Sequence, residues 1–177
     1  MAHITTGVEY SLHCLLFLAA DRKRTASARD LADLQGVPVE YVAKLFTKLQ
    51  KAKLVVAAEG AHGGFRLARE PGAISALDVV VAIDGKRPLF ECREIRGRCA
   101  IFQGKPPAWS TRGVCAIHAI MLEADARMRE ALASCTLAAL TACVAAKAPR
   151  DFGQEIAAWF ETRSSPPRQA PTKSSQP

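Results

Sequence analysis

The sequence predicts a mainly α fold: a winged helix-turn-helix DNA-binding domain with a long dimerisation helix. Three observations carry that expectation. Two helical patterns are separated by the short turn Gly36-Val37-Pro38, and a strand–turn–strand pattern follows them directly, from Leu54 to Ala68. Further on, Ile117, Met121, Ala124, Met128 and Leu132 recur along one face of an amphipathic segment.

The first helix spans about Gly7 to Ala20, with Val8, Leu12, Leu15, Leu16 and Ala19 at helical spacing. A second opens at Ser27, whose hydroxyl caps it while Asp30 completes a capping box; Leu31, Ala32 and Leu34 face inward and Gly36 ends it. Pro38 pushes Val37 out of helical space and itself suits the start of a third helix, Val39 to about Ala52. There Val42, Leu45, Phe46 and Leu49 form the inner stripe, while Glu40, Tyr41, Lys44, Lys48 and Lys51 face away. This layout presents the second helix of the pair to the major groove.

Leu54–Ala58 and Phe65–Ala68 then read as the strands of a wing, joined through Gly60, Ala61, His62, Gly63 and Gly64. Ser75 and Asp78 open another helix that Gly85 closes. The narrow stripe on residues 116–133 suits a seam between two subunits, with packing onto its own domain as the alternative. Thr136 caps a helix with Leu137 and Leu140, and Asp151 starts a last one through Ile156, Trp159 and Phe160. The chain therefore divides into a DNA-binding domain (1–87), a cysteine-containing loop (88–118), dimerisation and C-terminal helices (116–162), and a tail (163–177) too polar to fold.

With 49% hydrophobic and 23% charged residues, composition is that of a soluble globular protein, and no apolar run approaches a membrane span. The start, Met1-Ala2-His3-Ile4-Thr5, lacks the features of a secretory signal, so a cytoplasmic address is expected. Six cysteines then read as ligands, sensors or core residues rather than disulfides. The net charge of +7 favours an anionic partner, nucleic acid first. No Ser/His/Asp order, P-loop or dinucleotide fingerprint points to an enzyme.

Cys92, Cys99, Cys115 and His118 follow a C-x6-C-x15-C-x2-H spacing in an arginine- and proline-rich loop. Three thiols and an imidazole suit a soft metal or an iron–sulfur cluster; a structural zinc knot and plain thiols are the alternatives. Cys14, Cys135 and Cys143 read as small core residues.

These motifs, in this order, resemble the Rrf2 family of bacterial transcriptional regulators of the IscR, NsrR and RirA type. The matching stretches are Ile4 to Tyr10, Gln35-Gly36-Val37 through Lys44, Leu49 to Val55, Gly63 to Ala68, Ala76 to Val80, the cysteine loop and Thr136 to Leu140, covering about residues 1–145. The resemblance implies a homodimer reading palindromic, double-stranded promoter DNA and often a two-iron, two-sulfur (2Fe-2S) cluster that senses iron, redox state or nitric oxide. Cys92, Cys99 and Cys115 match the family's three cysteines, and Cys115-Ala116-Ile117-His118 looks like the motif of members in which histidine is the fourth ligand. The gap between the second and third cysteines is about ten residues longer than the family's usual one.

A second pattern within the family also fits. Glu9 and His13 share one face of the first helix. They resemble a redox-sensing subgroup in which such a pair, from the partner subunit, joins two cysteines, here Cys92 and Cys115. In the wing, many members have an arginine before the glycine where this chain has Glu59, so either His62 and Arg66 carry more of the contact or the target sequence differs. The resemblance thus implies DNA contacts at Tyr41, Lys44, Lys48, Lys51, His62, Gly63 and Arg66. A cluster-free thiol-switch regulator and a zinc-bound protein-interaction module are the alternative readings.

Overall fold

The computed structural model describes residues 4–58 and 63–164. Its first helix, α1 (Thr6–Ala20), buries Val8, Cys14, Leu15 and Leu18. Helices α2 (Ala28–Gln35) and α3 (Val39–Lys51) pack against it as the helix-turn-helix pair. The capping box of α2 forms as expected: the Asp30 N–H donates to Ser27 Oγ at 3.0 Å and the Ser27 N–H to Asp30 Oδ2 at 3.3 Å. Gly36 ends α2 in left-handed conformation (φ 65°), which costs glycine nothing, and Val37 N–H returns to the Ala32 carbonyl. Val42, Leu45, Phe46 and Leu49 are all buried. Each contributes about 1.5–3 kcal/mol by leaving water, so this stripe dominates what holds α3 in place.

The wing is an antiparallel pair, β1 (Val55–Ala58) and β2 (Gly64–Leu67), with Val55 opposite Leu67 and Ala58 opposite Gly64. Ala26 adds a bridge beside β2, exchanging both backbone hydrogen bonds with Phe65 (2.8 and 3.1 Å). Gly64 is required for that approach, since a Cβ there would lie 2.6 Å from the Ala26 carbonyl oxygen. Residues 59–62, with Glu59 and His62, lie outside the described residues.

Helix α4 (Ala76–Asp84) carries the predicted Ser75–Asp78 box. After it come 3-10 turns at Arg96–Arg98 and Ala100–Phe102 and the one-turn α5 (Ala108–Thr111). Helix α6 (Ala116–Ser134) follows, then α7 (Leu137–Lys147), capped by Thr136, and α8 (Phe152–Ser164). Backbone bonds Ala76 N–H to Cys135 O and Leu137 N–H to Ile74 O sew the α6–α7 corner to the start of α4.

Three expectations need correction. The α6 stripe divides: Met128 and Leu132 meet Leu77 and Val80 of α4 in the same chain, whereas Ile117 is 63% exposed and Ala124 is also exposed. Cys143 is exposed, because it stands on the side of α7 opposite Leu137 and Thr141; Cys14 is fully buried and Cys135 partly so. Arg163 and Ser164 belong to α8 rather than the tail, and Arg163 pairs with Asp30 and Asp33 while stacking 4.4 Å over Trp159. Residues 165–177 lie outside the described residues.

Candidate functional site

The outer face of α3 presents Tyr41, Lys44, Lys48 and Lys51 to solvent, on the side opposite its buried stripe. Tyr41 is anchored edge-on against Tyr10 at 5.8 Å, and its hydroxyl lies close over Gly7. Lys44 and Lys51 have no ion-pair partner among the described residues, so both cations are available to an anion. Lys48 differs: its ammonium donates to the Ile83 carbonyl at 2.7 Å, in the last turn of α4. Arg66 is exposed midway along β2, and Gly63 leads into that strand.

The thiols gather elsewhere. Cys92, Cys115 and His118 line one cavity of about 280 Å³ with Phe90, Ile95 and Ile117. Cys115 is the N-cap of α6, which sets the cavity at the head of that helix. Cys99 does not line it: the two 3-10 turns carry residues 98–101 to the surface, and Cys99 is exposed. The expected convergence of three thiols and an imidazole is thereby reduced to two thiols and an imidazole. Among the described residues, no group of three His, Cys, Asp or Glu side chains is placed to hold a metal ion within one chain.

Arg96 organises this loop. Its Nε and one terminal nitrogen meet the two Glu94 carboxylate oxygens at 2.7 and 2.8 Å, and the guanidinium also donates to the carbonyls of Thr111, Arg112 and Gly113. The Arg96 hydrogen bond holds the Glu94 carboxyl below its usual range, with a smaller pull from His118. Glu94 in turn pushes the Arg96 guanidinium up, with Cys115 and Cys92 adding to it. The guanidinium thus places a fixed positive charge at the cavity that the two thiols line. Nothing in the sequence marks Arg96 off from the other arginines of the loop, because its carbonyl acceptors lie fifteen to seventeen residues away.

Glu9 and His13 are both exposed on α1. Glu9 also lines an open, largely apolar groove of about 450 Å³ formed with Val8, Leu12, Val80 and Leu132. Neither residue lines the thiol cavity of its own chain.

A family model described as "Rrf2: Iron-dependent Transcriptional regulator" matches residues 4–143. The chain belongs to the Rrf2 family. It is 33% identical over 138 residues to Protein rrf2 of Nitratidesulfovibrio vulgaris, covering 77% of this chain and 85% of that one. To the HTH-type transcriptional regulator IscR of Vibrio vulnificus it is 30% identical, covering 77% and 76%. Among solved structures, CymR, the global cysteine regulator of B. subtilis, superposes with a TM-score of 0.64 at 25% identity, covering 80% of this chain and 98% of that one. T. potens IscR superposes at 0.58 and 23% identity over 78% and 85%, a likeness of fold alone.

As an Rrf2 protein the chain is a DNA-binding transcriptional regulator and not an enzyme. The Rrf2 match ends before α8, so Arg163, which reaches back to Asp30 and Asp33, lies outside the shared part. Among the described residues no helix is long and apolar enough to cross a membrane.

Proposed function

We propose that this chain is a cytoplasmic homodimer that binds palindromic promoter DNA through α3 and the wing, with affinity set by a two-iron, two-sulfur cluster. Tyr41, Lys44 and Lys51 on α3, with Gly63, Arg66 and His62 of the wing, form the DNA-contacting set; phosphate neutralisation by the cations supplies most of the affinity. The observation that carries the cluster reading is the meeting of Cys92, Cys115 and His118 at one apolar cavity beside a fixed guanidinium.

Two thiolates and an imidazole suit iron, and Arg96 offsets the negative charge that thiolate ligation brings. The donors of one chain are too few for a closed site, which fits ligands arriving from a second subunit. Glu9 and His13, exposed on α1 beside an apolar groove, are the candidates for that role. Ile117 and Ile120, left open at the head of α6, give the second subunit a surface to cover. A cluster held there would supply a redox-sensitive tie between the loop and the partner's α1. Cys99, outside the cavity, is assigned no ligand role.

The second reading is a thiol switch without iron, in which Cys92 and Cys115 oxidise directly. Their shared cavity favours it, as does the likeness to CymR, one structure of which is an oxidised form from Staphylococcus aureus. Anaerobic purification followed by visible absorption, iron and sulfide analysis separates the two. Brown protein with about two irons per subunit supports the cluster. Colourless, metal-free protein whose DNA affinity changes on oxidation replaces it with the thiol switch. Zinc in place of iron would instead indicate a regulator with a structural zinc site.

A further inference from the structure

We infer that the segment from Ile83 to Arg87 is a joint linking the sensing helices to the recognition helix, and that Lys48 is a positioning residue of this joint rather than a phosphate contact. Three helices arrive within five residues of chain. From α3, the Lys48 ammonium donates to the Ile83 carbonyl at 2.7 Å. From the N-terminus of α1, Thr5 gives both its N–H (2.9 Å) and its hydroxyl (2.6 Å) to the Asp84 carboxylate. From α6, Arg129 donates to the Arg87 carbonyl at 2.8 Å, its guanidinium held in place by Asp125 at 2.8 Å.

The chemistry suits each position. The final carbonyls of a helix have no intrahelical donor and carry partial negative charge, so an ammonium at the end of α4 is favoured there. Ile83 is 5% exposed, and its methyl group approaches Gly7 of α1, so this end of α4 is embedded between α1 and α3. Gly85, at φ 81°, lets the chain turn sharply after α4 and bring Arg87 under α6. The helices that meet here carry Glu9 and His13 (α1), Cys115 at the head of α6, and the DNA-facing residues of α3. A shift of α6 against α4 thus reaches α3 through hydrogen bonds, with Lys48 as the last link. Lys44 and Lys51 remain free for phosphate.

That the joint carries a sensing signal rests on the cluster reading above; that it couples α6 to α3 does not. The test therefore begins with cluster-free protein and a duplex that the wild type selects from a randomised pool. Affinity is measured against salt for Lys48→Gln, Lys48→Arg, Arg129→Gln and the Lys48→Gln/Arg129→Gln pair. Lys48 is exposed, so glutamine there leaves the core intact.

The expected result is an unchanged salt slope for Lys48→Gln, recovery of affinity in Lys48→Arg, and a double variant departing more than about threefold from the product of the single effects. A slope reduced by about 0.9 together with multiplicative single effects makes Lys48 a phosphate contact and overturns the inference. Cluster-loaded and bare protein are then compared. Equal wild-type affinities defeat the cluster reading and leave the double-variant result to decide the joint. A wild-type difference that Lys48→Gln retains in full overturns the signal path; its collapse supports it.

Discussion

The Arg96 guanidinium donates to the Gly113 carbonyl at 2.9 Å across seventeen residues of chain. With the paired contact to Glu94, this single side chain closes the lobe that separates Cys92 from Cys115. Little else can: the lobe exposes Ile95, Ile101, Trp109 and Val114, and only Ser110 within it is buried. Polar contacts, not an apolar core, give this loop its shape.

Replacing Arg96 by glutamine is accordingly expected to loosen residues 97–113 while sparing the DNA-binding helices. Amide exchange across the lobe should speed up roughly tenfold, with α2 and α3 keeping their wild-type rates. Iron content after anaerobic purification should fall in parallel, because the cavity shared by Cys92 and Cys115 loses its clamp and its positive charge. Unchanged exchange in the lobe would mean that Arg96 decorates the loop rather than shaping it.

Gly64 answers a different question, whether the wing is held by its hairpin or by Ala26. A methyl at residue 64 would collide with the Ala26 backbone, which cannot rotate away as a side chain could. Gly64→Ala should therefore break the Ala26–Phe65 pair of hydrogen bonds and destabilise the protein by about 2 kcal/mol. DNA affinity should drop as well, since Arg66 moves with β2. Gly72→Ala, with open space around the new methyl, is the control and should change Tm little. Equal Tm values for the two variants would show that the wing tolerates displacement.

How much of this could be read in advance divides along the range of the interactions. The Ser27–Asp30 and Ser75–Asp78 boxes, the Gly36 turn and the Val42–Leu49 stripe are local patterns, and each formed where its residues predicted. Long-range partners were not legible. Lys48 sits in the same lysine row as Lys44 and Lys51, yet its acceptor lies thirty-five residues on. The α6 stripe looked uniform because periodicity records which residues share a face and not what covers them. Only the three-dimensional path of α4 divides Leu132 from Ile117. Cys99 was partly legible, since the long gap between it and Cys115 already set it apart, and the two 3-10 turns carry it out of the cavity.

Cys14 offers a test of the core that is independent of DNA and iron. It has no exposed surface, and burial pushes its thiol from an ordinary 9.0 up to about 12. An acid whose folded pKa is raised contributes its full stability below the unfolded pKa and loses it as pH climbs toward the folded value. In the unfolded chain Cys14 ionises near pH 9, whereas the folded protein holds the proton. Stability should therefore fall by an extra ~1.4 kcal/mol per pH unit between about pH 9 and pH 12, one ionisation's share. Cys14→Ala should flatten that part of the curve while costing about 1 kcal/mol at neutral pH through the small cavity it leaves. At pH 8 a thiol reagent should label the exposed Cys99 and Cys143 first and reach Cys14 only when denaturant unfolds the domain. Labelling of Cys14 at the rate of Cys143 in native buffer would mean that α1 opens far more often than so deeply buried a helix should.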